Sequence, residues 1–580
     1  TGNGTQISNH GSVFGHDAGL LSTGSGHSLF NSGSLSSDNQ AIYFADGAQT
    51  ITNTGNIVSH SADAFFIDDN LVTTGSFVTN SGAITGHGHG VNVLEAGSRI
   101  TNDGTVTGTN GDAMRTTGNN GIIINNGSAT GEDDAMTVNG TDSRIVNNGT
   151  ATAYTDVGIF ITGDGSSALN TGTVNAAGNG IVGSGEDLDV NNSGSIVAGN
   201  NGIDLTFSTT NDKRVANSGT VQATQSGILN EGDNAVIINS GNITAGFRGI
   251  ELLDGAFGSI SNSGSVVAHQ KAVFMTSDGG RLVNSGSIES GNDAGVHLNN
   301  SFDTIQQVVI NSGTITGGAG ASSSDVAILG DSNFSETVRN SGTLNGDVDH
   351  RGGDDTMINS GDIFGNVDLA EGNDLYRAKA TGFVEGSVTG GDGDDIIMGG
   401  DFDDHFDGGK DDDMLAGRGG DDELLGNNGA DTIRGGAGDD VIEGGGGNDY
   451  VKGGSGDDDI NGGGSSDMLL GNSGNDTIDG ASGADTIDGG AGNDIITGSN
   501  GSDTFVFKAG GGHDVITDMT NGVDVIDLSS FGLINFANMI ATLDVDLHGP
   551  TGSYIDFGNG DVLVLETMVY GNLDASDFIF

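Results

Sequence analysis

Between residues 9 and 363 the apolar positions fall in short alternating stretches separated by Gly, Asn and Ser, as in Gly199-Asn200-Asn201-Gly202-Ile203-Asp204-Leu205. Alternation with period two predicts short half-buried strands, and the Gly and Asn clusters predict tight turns between them. One motif punctuates the strands: Asn-x-Gly-x-(apolar or Ala) occurs sixteen times, from Asn9-His10-Gly11-Ser12-Val13 to Asn359-Ser360-Gly361-Asp362-Ile363. Its Asn stands at 9, 31, 53, 80, 102, 125, 147, 170, 192, 217, 239, 262, 284, 311, 340 and 359, and most steps are 22 or 23 residues. A fixed period of this kind marks stacked supersecondary units, with about three short strands to a coil. No convincing helical period precedes residue 530. The expected fold is all-β, a right-handed parallel β-helix over residues 1–365.

The motif residues suggest how a coil turns. An Asn side chain can bond nearby backbone and tolerates left-handed geometry, and the Gly after it is expected to supply a positive φ. Stacked at one corner, the Asn residues are expected to form a ladder. Longer steps at 53 to 80, 284 to 311 and 311 to 340 predict loops leaving one face, the last containing Gly317-Gly318-Ala319-Gly320-Ala321-Ser322-Ser323-Ser324. Extra residues in solenoids often carry binding.

From Gly390 the period changes to nine and holds for thirteen unbroken repeats, to residue 506. Typical units are Gly390-Gly391-Asp392-Gly393-Asp394-Asp395-Ile396-Ile397-Met398 and Gly435-Gly436-Ala437-Gly438-Asp439-Asp440-Val441-Ile442-Glu443. Position one is always Gly, and position eight is always apolar, from Ile397 to Phe505. Position six is always Asp: Asp395, Asp404, Asp413, Asp422, Asp431, Asp440, Asp449, Asp458, Asp467, Asp476, Asp485, Asp494 and Asp503. Gly-rich turns expose backbone carbonyls and Asp adds a hard anionic oxygen, the donors that Ca²⁺ prefers. These thirteen Asp residues are the candidate metal ligands. Position four departs at Phe402, Asp411 and Ser465, and position two at Arg418, Asn427, Asn472, Ala481 and Ser499, so sites built on those turns are expected to be weakened.

The units resemble the GGxGxDxUx nonapeptide of RTX (repeats-in-toxin) proteins, the hemolysin-type calcium-binding proteins secreted by type I systems. The resemblance implies a calcium-binding parallel β-roll, two nonapeptides to a coil, with ions shared between turns of successive coils and on the order of ten Ca²⁺ in all. The longer coils resemble the passenger solenoids of autotransporters and filamentous adhesins. Residues 366–389 are read as transition coils, and between 351 and 380 Gly352-Gly353-Asp354-Asp355 and Glu371-Gly372-Asn373-Asp374-Leu375 look like degenerate coils grading one period into the other.

Residues 507–580 are more apolar and are expected to form a C-terminal cap. A short helix is expected over 536–543, and a hairpin at Asn559-Gly560 between Tyr554-Ile555-Asp556-Phe557 and Val562-Leu563-Val564-Leu565. The ending Leu573-Asp574-Ala575-Ser576-Asp577-Phe578-Ile579-Phe580 is similar to the uncleaved signals of type I secretion substrates. That similarity implies export from a Gram-negative cytosol to the exterior or cell surface.

Charge narrows the partners. The 580 residues carry 79 acidic and 17 basic side chains, a formal charge of −62, which excludes nucleic acid as a partner because phosphate binding needs Lys and Arg. Residues 390–506 hold 28 acidic and four basic side chains, a net −24 that demands cations when stacked. No cysteine is present, so rigidity outside the cell must come from the ladders or bound metal. No apolar run reaches the eighteen or so residues of a membrane-spanning helix. The chain begins Thr1-Gly2-Asn3 without a leader, and its coils start at Asn9 without a cap. Either further chain is expected before Thr1 or another subunit docks there.

Enzymes that end in such repeats normally declare their chemistry elsewhere. None of the twelve His residues lies in HExxH, no GxSxG occurs, and His87-Gly88-His89 reads as a turn. Thr-x-Thr pairs such as Thr105/Thr107 and Thr150/Thr152 are too sporadic for an ice-binding face. The expectation is a non-enzymatic, calcium-dependent extracellular structural protein. It would self-associate end to end as a fibre, biofilm-matrix or surface-layer subunit, with cell-surface or matrix polysaccharide as a further partner. A monomeric adhesin is the first alternative. A polysaccharide lyase or epimerase assembled from side chains on several coils is the second.

Overall fold

The computed structural model describes residues 4–68, 75–206, 212–299, 305–318, 325–331, 334–549, 552–566 and 573–580. Two units divide the chain, Thr1–Asp325 and Val326–Phe580. Both are parallel β-solenoids.

In the first unit each regular coil lays one strand on each of three sheets. Arg99–Asn102, Thr105–Gly108 and Met114–Thr117 pair in register with Ile122–Asn125, Ser128–Gly131 and Met136–Asn139 of the next coil. The alternation seen in sequence sends Ile100, Val106 and Met114 inward, where each is at most 1 % exposed. Ile100, Ile123 and Ile145 then stack on one another. Burial of such side chains contributes about 1.5–3 kcal/mol each. A narrow core therefore suffices because it never stops. The long-step stretches 69–74, 300–304 and 319–324 lie outside the described residues, as does most of the Gly/Ser run at 317–324.

The expected Asn ladder is present. Asn102 Nδ2 donates to Asn125 Oδ1 at 2.8 Å and to the Ser128 carbonyl at 3.0 Å. Asn125 donates to Asn147 and Asn147 to Asn170, both at 2.8 Å, and the series runs unbroken from Asn9 to Asn311. These buried amides satisfy one another, which is what makes them tolerable inside.

The motif Gly has a different role from the one expected. Gly82, Gly104, Gly127 and Gly149 lie outside the left-handed region. A Cβ on Gly149 would instead collide with the Gly127 carbonyl oxygen of the coil before, and Gly82, Gly104 and Gly172 meet the same obstacle. Close stacking, not positive φ, fixes this residue. Left-handed backbone falls at another corner, two residues before most Asn strands, as at Gly97, Asn120, Asp142, Gly165 and Asp187, with φ between 52° and 70°. Asn147→Ala is expected to destabilise the chain by about 1–3 kcal/mol, leaving Asn170 Oδ1 without its donor. Gly149→Ala should cost roughly 3 kcal/mol or more, because backbone must move. Urea midpoints measured in calcium would check both.

The second unit starts with three-stranded coils such as Thr356–Asn359, Asp362–Phe364 and Val367–Glu371. Phe383–Val384 is the final strand of the middle sheet among the described residues. From Ile396–Met398 onward each coil has two strands, and the register advances by eighteen residues, as in Thr432↔Tyr450 and Val441↔Asp459. The core narrows to one side chain per strand: Leu415, Leu424, Ile433, Ile442 and Val451 are all at most 1 % exposed.

The last coil is closed by its own C-terminal chain. Helix α1, Phe536–Thr542, is capped by Asn535, and strands Gly552–Gly558 and Asp561–Leu565 form an antiparallel hairpin. Asn559 and Gly560 have φ of 59° and 98°, the two positive values a tight hairpin turn needs. Asp561–Leu565 pairs with His513–Ile516, and Phe578–Ile579 with Val525–Asp527. Phe507, Phe531 and Phe557 stack with centroids 4.4–5.8 Å apart. Among the described residues no helix is long and apolar enough to cross a membrane.

Candidate metal centre

In the regular nonapeptides one strand takes in the last three residues of a repeat and the first three of the next, as in Thr432–Ala437 and Val441–Gly446, and the turn falls at positions four to six. Positions two and four are left-handed: Gly436 and Gly438 have φ of 127° and 134°, and Gly454 and Gly456 134° and 129°. Most departures from Gly keep that backbone. Arg418, Asn427, Asn472, Ala481 and Ser499 at position two, and Asp411 and Ser465 at position four, all have φ between 62° and 91°. The exception is the repeat 399–407, where Gly400 and Phe402 both lie outside the left-handed region. Of the eight substituted positions only Phe402 loses the left-handed backbone, and Gly501 at position four of the last repeat also lies outside it.

The position-six carboxylates form two columns. The Asp395 N–H donates to Asp413 Oδ1 at 2.8 Å, and the same bond repeats through Asp431, Asp449, Asp467, Asp485 and Asp503. The other column runs Asp404, Asp422, Asp440, Asp458, Asp476 and Asp494 at 2.8–3.0 Å. All thirteen side chains are buried, at most 5 % exposed.

The second oxygen tells more. Oδ2 of Asp395, Asp413, Asp422, Asp431, Asp440, Asp449, Asp458, Asp467, Asp476, Asp485, Asp494 and Asp503 is buried without a hydrogen-bond partner. Only Asp404 differs: in the repeat 399–407 its Oδ2 accepts from the Gly400 N–H at 2.9 Å. Position one is Gly because the carboxylate folds over it, so that a Cβ on Gly435 would collide with Asp440 Oδ2.

Burial without a counter-charge pushes these groups up. Asp413 rises to about 8, Asp422, Asp458 and Asp467 to about 7, and Asp395, Asp404, Asp431, Asp440, Asp476 and Asp503 to about 6. Asp449, Asp485 and Asp494 are also raised. Desolvation is the largest cause in every case, and the accepted backbone N–H offsets part of it.

The columns extend past the regular repeats at both ends. Upstream, the Glu336 N–H donates to Asp355 Oδ1 and the Asp355 N–H to Asp374 Oδ1, both at 2.6 Å, and the Asp374 N–H to Asp395 Oδ1 at 2.8 Å. Downstream, Asp494 and Asp503 donate to Asp514 and Asp524 at 3.1 and 2.9 Å. Asp374 and Asp514 are pushed up to about 7. Sequence reasoning assigned none of these four Asp residues to the site. The available signal was Gly-x-Asp-x-apolar, as in Gly512-His513-Asp514-Val515-Ile516 and Gly522-Val523-Asp524-Val525-Ile526.

A hard divalent cation fits this donor set. The buried Oδ2 atoms lack any positive partner, and the Gly-rich turns beside them offer carbonyl oxygens. The position-six Asp residues would hold the ions, Asp404 least readily because its Oδ2 already accepts the Gly400 N–H, and the ions would supply the missing charge and tie one coil to the next.

A family model described as the RTX calcium-binding nonapeptide repeat matches at residues 389–424, 417–451, 425–460, 440–469, 470–505 and 479–516. Residues 389–516 thus carry repeats of the RTX calcium-binding type, set within a chain whose strands form parallel β-solenoids. Solution structures of the AlgE6R3 and AlgE6R2 subunits of the Azotobacter vinelandii mannuronan C5-epimerase are 29% and 27% identical to it. Each covers 22% of this chain, with 79% and 91% of those chains matched and TM-scores of 0.19 and 0.18. The crystal structure of extracellular lipase LipA from Serratia marcescens is 19% identical, covering 32% of this chain and 40% of that one at a TM-score of 0.18. A search of curated proteins returned no match.

Polar side chains also meet away from the columns, at a corner of the first unit. His89 Nδ1 accepts from the Asp112 N–H at 2.9 Å, and the His89 N–H donates to Asp63 Oδ1 at 2.7 Å, so this His is a rung of a corner ladder. Asp134 extends that corner, accepting from the Val157 N–H at 3.1 Å. Burial and the neighbouring Asp112 push Asp134 up to about 7.

Proposed function

We propose that the chain is an extracellular, calcium-dependent structural protein whose second unit folds when it meets calcium. The observation that carries this reading is the set of twelve buried, unpartnered aspartate oxygens in register along the nonapeptides. Calcium is scarce in a cytosol and plentiful outside, so the block would stay open until exported and then lock. The C-terminal residues likened to a type I secretion signal support export from a Gram-negative cell. On this reading the thirteen position-six Asp residues provide calcium ligands, with Asp404 the weakest.

The finer role is a subunit of a fibre, biofilm matrix or surface layer. Support comes from the exposed position-five acids Asp394, Asp403, Asp412, Asp421, Asp439 and Asp457, whose charge keeps copies of the chain apart until cations neutralise it. Purified full-length protein is expected to be monomeric in chelator and to form ordered assemblies when calcium is added, seen by electron microscopy and light scattering at constant ionic strength. Monomers that persist at high concentration in calcium would instead favour the adhesin reading.

A polysaccharide lyase or epimerase is favoured by one observation, the buried Asp112 and half-buried Asp134 on successive coils, with Asp134 pushed up to about 7. Unsaturated products from alginate or pectin, lost in Asp134→Asn, would replace the structural reading.

A further inference from the structure

We propose that Glu336, His350 and Asp355 form a binding site for a zinc-class divalent transition metal, separate in chemistry from the calcium columns. All three residues are 1 % exposed. His350 Nδ1 lies 4.0 Å from Glu336 Oε2 and 3.8 Å from Asp355 Oδ2, and the donor atoms of the three residues all lie within 4.8 Å of one another. Those separations are too long for hydrogen bonds. The two carboxylate oxygens that face the imidazole have no hydrogen-bond partner.

Register explains why the cluster exists. Asp355 occupies position six of a degenerate nonapeptide, His350-Arg351-Gly352-Gly353-Asp354-Asp355-Thr356-Met357-Ile358. Arg351 and Gly353 keep the left-handed φ of positions two and four, at 67° and 110°, and Met357 is buried as at position eight. His350 therefore stands at position one, which is Gly in every regular repeat. There the carboxylate folds over bare backbone; here an imidazole meets it. Glu336 closes the site from the preceding coil, its Oε1 held by the Asp331 N–H at 3.0 Å.

The donor set selects the metal class. Calcium takes oxygen ligands, whereas one imidazole nitrogen with two carboxylates suits zinc or a neighbouring first-row ion. Zinc bonds of about 2.0–2.2 Å set donors roughly 3.3–3.6 Å apart, so the His350 contacts at 4.0 and 3.8 Å would each close by roughly 0.2–0.7 Å. Two carboxylates and a neutral His also balance a 2+ charge, which burial requires. With the site buried, the ion would enter as the chain folds.

The test uses the full chain, refolded in buffered calcium with and without added zinc, desalted, and assayed for metal by mass spectrometry. One zinc per chain is expected to survive desalting. In His350→Gln its affinity should fall by at least about tenfold, since losing an inner ligand costs no less than losing an outer partner, while surface variant His405→Gln should be unchanged. Cobalt refolded into the wild-type chain should show visible absorption of a low-coordinate site and imidazole scattering in its X-ray absorption spectrum. This second measurement holds if His350→Gln fails to fold. Folded wild-type protein that retains no zinc, equal retention by His350→Gln, or a cobalt spectrum of an all-oxygen six-coordinate ion would each overturn the assignment.

Discussion

In chelator at neutral pH, backbone amides of the nonapeptide block are expected to exchange with solvent almost unprotected, while those of the Asn sheet in the first unit stay protected. Calcium should restore protection across the block. The asymmetry comes from what each core holds. The buried polar side chains of the Asn ladder are neutral and donate to one another, whereas each Asp column stacks carboxylates with one oxygen unpartnered. Folded without metal, Asp413 titrates at about 8 and Asp458 at about 7, against 3.8 for a free side chain. Each tenfold change in proton affinity is worth about 1.4 kcal/mol, so several such groups outweigh the ~5–15 kcal/mol that holds a domain together. The sign follows from linkage. A carboxyl whose folded pKa is raised binds more protons in the folded state, so its penalty is absent below the unfolded pKa and grows as pH rises toward the folded one. The calcium-free block should therefore regain protection on acidification from about pH 8 to about pH 4, reaching by protons part of what calcium gives. Hydrogen exchange at graded pH, with and without calcium, measures this directly. A block equally protected in chelator and calcium at neutral pH would remove the basis for calcium-dependent folding.

Residue types that recur in phase made the fold legible. Leu and Ile at alternate positions with Asn-x-Gly every 22 or 23 residues specify strands, corners and register together, because in a parallel stack each residue rests on its own counterpart. The thirteen Asp residues were legible for the same reason. Asp355, Asp374, Asp514 and Asp524 were not, since they join the columns at spacings of 19, 21, 20 and 21 residues where the regular repeat uses 18. Three-dimensional stacking tolerates a coil that grows by one to three residues; a fixed-period reading does not. The motif Gly shows a second limit. Sequence can say that only Gly fits at Gly149, but left-handed backbone and a carbonyl pressed against Cα leave the same letter. His350 was illegible for a third reason: a single imidazole at position one breaks the pattern by which the repeat is recognised.

Asp458→Asn is expected to change stability in opposite directions with and without calcium. The amide oxygen can still accept the Asp440 N–H that Asp458 Oδ1 takes at 3.0 Å, so the column survives. What changes is Oδ2, buried and unpartnered in the acid. In chelator the amide cannot ionise, and the cost of holding a charge there disappears. The variant block should be more stable than the parent by about 1–3 kcal/mol at neutral pH, the scale of one unsatisfied buried group, and the gain should fade on acidification as the parent protonates. In calcium the same substitution removes an anionic ligand, and the block should lose about 1–3 kcal/mol and need more calcium to fold. Asp404→Asn supplies the contrast. Asp404 Oδ2 already accepts the Gly400 N–H, which an amide nitrogen placed there could not do, so this variant should gain less in chelator. Paired urea titrations of the two variants in chelator and in calcium separate a metal column from a merely structural one. A structural ladder predicts the same sign under both conditions, and only ligation predicts the crossing.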